Sequence, residues 1–152
     1  MAKFIFRAQV ALDLRRKQED AARLALAEAQ SRLQRAEWDV ESAQAQLAEG
    51  LTRARDTEAE ASDPTLAIWY RNWIHRQRRE VARCLQILDG RQADVKAAEA
   101  TAMEARRAVR VLEKLKDRAW SEHTTRERRD EQKALDLLGV MQYAIRHMGD
   151  RT

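Results

Sequence analysis

Three kinds of residue in this chain could carry covalent or metal chemistry: one cysteine, Cys84, three histidines, His75, His123 and His147, and 25 carboxylates. A zinc site needs ligands brought together, commonly at i and i+4 on a helix, with cysteine or carboxylate neighbours. No two of these histidines have that spacing, and none stands in a ligand cluster. A nucleophilic cysteine needs an electropositive setting. Cys84 instead falls on an apolar helical stripe, where a thiol serves as a small buried hydrophobe. Gly50, Gly90, Gly139 and Gly149 are too dispersed for a phosphate-cradling loop. Carboxylate pairs are plentiful but lie on exposed helix faces, where solvated ion pairs account for them. These residues predict no catalytic centre, no metal and no cofactor, and the chain is not expected to be an enzyme.

What remains is recognition chemistry, carried by tryptophan and arginine. Trp69, Tyr70 and Trp73 crowd the run LAIWYRNWIHRQRR, and Trp38 falls on the outer face of its own helix. Within that run Tyr70 and Ile74 can cap the apolar stripe, Trp69 points outward, and Trp73 flanks. Two readings stand: these rings staple a turn, or they form an exposed aromatic patch rimmed by Arg71, Arg76, Arg78 and Arg79, the composition of an interaction hot spot. Further on, Ser121 to Lys133 reads SEHTTRERRDEQK, a solvated helix almost without apolar residues. An apolar stripe then returns at Ala134, Leu138, Met141, Ile145 and Met148, with Leu135 and Leu137 beside it. That stripe has no mate elsewhere in the chain. Gly139 permits a fold-back, but docking to another protein is the favoured expectation.

Two heptad seams position these residues. In the second half one runs Ile74, Val81, Leu88, Val95, Ala102 and Val109, with companions Gln77, Cys84, Arg91, Ala98, Ala105, Leu112 and Ala119. The first half carries Ile5, Leu12, Glu19, Leu26, Leu33, Val40, Leu47 and Ala54, with companions Ala8, Arg15, Ala22, Ala29, Ala36, Ala43 and Gly50. Apolar residues alternating at steps of three and four mark a coiled coil. Between the halves the period is lost, and Asp63 followed by Pro64 supplies an N-cap and a first helical residue. Two helices joined so closely pack antiparallel. With the turn centred near Ser62, facing residues sum to about 124, so that Ala43 meets Val81, Ala36 meets Leu88, Val40 meets Cys84 and Leu12 meets Leu112. Large meets small at most layers. The alternative partner, a second copy of a straight helix, does not exploit this self-complementarity.

The expected fold is therefore all-α: one coiled-coil domain over 1–152, an antiparallel hairpin whose C-terminal helix extends beyond it. Helix one is expected at about 4–58, the turn at 59–63, helix two at about 64–138 and a tail at 139–152. Some 55 paired residues would span roughly 80 Å. With 36% charged and only 5% aromatic residues, a thick layered core is excluded. A single cysteine, no membrane-length apolar run and an opening without a signal-peptide core predict a cytoplasmic protein without membrane insertion, monomeric when free. Charge is unevenly placed: residues 1–17 have five basic against one acidic residue, and 106–133 have ten against six. The hairpin gathers both into one basic end suited to an acidic partner surface. The arginines are interleaved with acids and no groove-reading motif accompanies them, so nucleic acid is not expected.

The opening FIFRAQVALDLRRKQEDAARLALAEAQ and the segment LEKLKDRAWSEHTTRERRDEQKALDLL resemble the two ends of the flagellar export chaperone family FliJ. The type III secretion stalk proteins of the YscO kind are similar. The resemblance implies an antiparallel two-helix stalk, without cofactor, whose basic end enters and stimulates a FliI-like export ATPase hexamer. It also implies contact with the FlhA-like export gate and with export chaperones. Carried over residue by residue, the ATPase-facing candidates are Phe4, Arg7, Arg126, Arg128, Arg129, Gln132, Lys133, Leu135 and Leu138. The gate-facing candidates are Trp38, Trp69, Tyr70, Trp73 and Gln77. Gln77 stands where the family often has an aliphatic residue.

Overall fold

The computed structural model describes residues 4–60 and 63–149, and among these it contains two long helices packed against each other and no strand. Helix α1 spans Gln9–Ala59 and α2 spans Pro64–Gly149. Helix α2 starts as its sequence requires: Asp63 Oδ1 accepts the Thr65 N–H at 2.9 Å, and its carbonyl accepts the Leu66 N–H at 3.0 Å, with Pro64 the first helical residue. Residues 61 and 62, within the expected turn, lie outside the described residues.

Two boundaries differ from those expected. Helix α1 begins at Gln9 rather than near residue 4. No Ser, Thr, Asp or Asn stands at residues 4–8 to cap an earlier start. The chain enters instead through a turn in which the Gln9 N–H bonds the Phe6 carbonyl at 3.0 Å. Helix α2, expected to stop near 138, continues through Gly149, across Gly139. One helical glycine costs only about 1 kcal/mol, and the alanine, leucine and methionine on either side of Gly139 sustain the helix. No fold-back occurs there. Residues 150–152 of the expected tail lie outside the described residues.

The described chain divides into two compact units. In the unit Gln18–Ala105 the packing is antiparallel. Val40, Ala43 and Cys84 form a buried cluster closed by Val81 and Leu88, the layers expected from a register sum near 124. Ala29 and Ala36 are buried on the same stripe of α1. Their small side chains let the backbones approach. Three polar residues share this seam, one of them Arg91, half-buried and paired with Asp94 at 3.1 Å. Glu19 is 8% exposed and accepts from Arg23 one turn on. Gln77 is half-buried with its Oε1 enclosed and unpartnered.

In the unit Met1–Lys17 with Arg106–Thr152 the helices again run antiparallel. Lys116 Nζ donates to Gln9 Oε1 at 2.9 Å, and Arg16 Nη2 pairs with Glu113 Oε1 at 3.0 Å. Leu12 is wholly buried between these two links, and Val109 is buried beside them on α2. Two expected seam members lie outside the core. Ile5 is 75% exposed because it precedes α1, where the helical period does not apply. Arg15 is exposed because its long stem carries the charge outward from the seam edge.

Candidate interaction surfaces

The two candidate surfaces fall in different units and are built differently. The basic one belongs to the unit that carries seventeen basic against nine acidic residues in sequence, net +8. From Arg128 to Met148 every residue of α2 is exposed. Arg126, Arg129 and Lys133, spaced three and four apart, share one face and line a shallow groove with Ser121, Thr125 and Asp130. Arg128, Gln132, Leu135 and Leu138 follow a second line about half a turn away. The ATPase-facing candidates therefore wrap the helix rather than occupy one stripe. Phe4 is set apart from them: its ring packs edge-on against Trp120 at 5.1 Å and His123 at 5.5 Å, which pins the start of the chain to α2. Arg7 is exposed in the turn before α1.

Beyond Lys133 the helix carries large apolar groups on most of its circumference. Leu135, Leu137, Leu138, Val140, Met141, Tyr143, Ile145 and Met148 are each more than half exposed. At 100° per residue no gap between them exceeds about 80°. Asp136, Gln142, Arg146 and His147 are interleaved with them, and exposed apolar groups over so much of the surface mark an interaction site.

The aromatic surface belongs to the unit Gln18–Ala105. Trp73 is half-buried because α1 presents Gly50 to it: a methyl group at Gly50 would stand 2.5 Å from Trp73 Cη2 and 2.8 Å from Cε3. The indole lies flush on the helix backbone, as only glycine permits. Tyr70 is also half-buried, and Trp69, 51% exposed, meets it edge-on at 5.1 Å. These three rings and Gln46, Glu49, Gly50 and Arg53 line one open hollow. Trp38, 66% exposed, is twelve residues from Gly50, about 18 Å along α1, and does not join the cluster. Gln77 points into the seam. Of the gate-facing candidates, Trp69 and Trp38 offer open rings, whereas Trp73 and Tyr70 give most of their surface to α1. Gly50 escaped the sequence reading, although it stood on the seam at the height the register assigns to residue 74.

Burial pushes the Cys84 thiol above its ordinary range, with the neighbouring Glu80 adding to the effect. His123 Nδ1 lies 3.8 Å from Glu127 Oε2, and His147 stacks on Tyr143 at 4.1 Å. Among the described residues no three His, Cys, Asp or Glu side chains converge on a metal-sized site, and no helix is long and apolar enough to cross a membrane.

The fold and its surfaces define the class first: an antiparallel two-helix coiled-coil protein whose exposed chemistry lies in arginine, tryptophan and an unsheathed helix end. The model of the family described as flagellar FliJ protein matches residues 6–147, and the chain belongs to that family. It is thus a component of the flagellar protein export apparatus, from a family of non-catalytic members. No curated protein and no solved structure gives a match.

Proposed function

We propose that the protein is a cytoplasmic stalk and adaptor at the flagellar base. It binds the ring of a FliI-like export ATPase, stimulates it, and links it to the FlhA-like export gate. The bare C-terminal part of α2 carries this reading. Its apolar residues surround the helix from Leu135 to Met148, and Arg126, Arg128, Arg129 and Lys133 precede them. One docked face would leave half of those apolar groups in water, whereas a ring would cover them together. Phe4 and Arg7, held beside α2, would meet the same partner. Trp69, with Trp38 and the exposed edges of Tyr70 and Trp73, would serve the gate, and export chaperones would be further partners. Free in solution the chain would be a monomer.

The experiment is a pull-down of the cognate ATPase and of the gate's cytoplasmic domain, with ATP hydrolysis measured with and without the full chain. Capture of both and faster hydrolysis are expected. Capture of neither would reduce the protein to a scaffold outside this step.

A further inference from the structure

Within the unit Met1–Lys17 with Arg106–Thr152 the two sides of the helix pair are unlike. Arg16 lies about 40° round α1 from Leu12, and Glu113 about 40° round α2 from Val109, in the same sense. Their ion pair at 3.0 Å shows that these two flanks face the same way. Gln9, bonded to Lys116, lies on that flank also. The acids Asp13, Glu113 and Asp117 all belong to this polar side.

The opposite flank carries Ala11 from α1 and Ala108 and Leu115 from α2, about 100–120° round from the buried residues, with Leu14 and Val111 at its outer margins, about 160° round. The Gln9–Lys116 and Arg16–Glu113 links set Leu14 at the height of Val111 and Leu115. Leu14 is 55%, Val111 59% and Leu115 48% exposed. Ala11 and Ala108 between them form a low floor on which a helix can lie close. Exposed Arg7 and Arg118 stand at one end of this strip, with Glu122 a turn beyond.

We propose that this flank is a docking groove for a single amphipathic α-helix of another protein, apolar on one face and acidic along its margins. Anchors at three- and four-residue spacing suit helix-in-groove recognition. The unit's net charge of +8 selects an acidic occupant and opposes a second copy of the same chain, which would bring like charge. Apart from Arg7 at its end, the groove is separate from the surface assigned to the ATPase, and it does not depend on that assignment.

The test uses the full chain and a fluorescein-labelled 18-residue helical peptide with leucines at i, i+3, i+4 and i+7 and flanking glutamates. Saturable anisotropy is expected. The double variant Leu14→Ser, Val111→Ser should weaken binding at least tenfold with unchanged helicity, and Arg118→Glu at least fivefold. Arg110→Glu makes the same charge change on the polar flank and should alter binding less than twofold. No effect of the serine pair, or equal losses from Arg118→Glu and Arg110→Glu, would reduce the signal to diffuse charge attraction and overturn the proposal. A photo-crosslinking residue at position 111 in motile cells should give an adduct mapping to an acidic amphipathic helix. An adduct with a second copy, or none, would also overturn it.

Discussion

Gly50→Ala is expected to destabilise the protein even though alanine is the better helix former. The exchange itself favours a helix by about 1 kcal/mol. The new methyl, however, needs the space held by the indole, 2.5 Å from Trp73 Cη2 and 2.8 Å from Cε3. The ring must swing off the backbone. A buried aromatic covers about 150–250 Å², so displacing a half-buried one re-exposes about 100 Å², worth about 2.5 kcal/mol. The net loss is about 1.5 kcal/mol, which lowers Tm by about 3–6 °C for a chain of this size. In a Trp73→Ala background the obstruction is gone, and the same Gly50→Ala change should raise Tm by about 2–4 °C. Thermal unfolding of all four proteins, followed by circular dichroism at 222 nm, reads the cycle. A change of one sign in both backgrounds would refute the packing argument, because helix propensity alone cannot depend on residue 73.

Glu19→Leu replaces the buried seam carboxylate with an apolar layer and leaves Arg23, already 61% exposed, in solvent. Urea unfolding should show a gain of about 1–2 kcal/mol. Asp63 is held below the usual carboxylate range by the Thr65 backbone N–H and side chain. Its cap therefore stabilises the fold at pH above the unfolded carboxylate value, and the benefit fades as pH falls through the lower folded value. Asp63→Ala should accordingly lower Tm at pH 6, and the difference from wild type should shrink towards pH 2–3. Reversing Arg126, Arg128 and Arg129 to Glu should cut ATPase stimulation at least tenfold with unchanged helicity; full stimulation would discard the basic-surface reading. Trp69→Ala should weaken gate binding at least fivefold in titration calorimetry without shifting Tm, whereas Trp73→Ala should shift both.

The seams were legible because burial in a two-helix coil follows one rule of spacing. From Gln77 to Ala119 every residue assigned to the stripe is buried or half-buried, including the polar Gln77 and Arg91. Cys84 lands beside Val40, as the register required. The rule failed where its premise did: Ile5 precedes the helix, and Arg15 has a stem long enough to leave the seam. Reach and shape were harder to read. A period assigns Trp73 to a flank but does not show that a glycine opposite will let its ring lie flat. Nor does a stripe of five show that eight apolar residues surround the helix. That distinction bears on function. A seam built on alanines, with Glu19 and Gln77 inside it, holds the two helices together with little apolar surface to spare. The larger apolar groups of residues 135–148 have meanwhile been left in solvent. Hydrophobic stabilisation available for folding has been placed where only a partner can use it, so binding should order and protect the C-terminal part of α2 more than any mutation within the seam can.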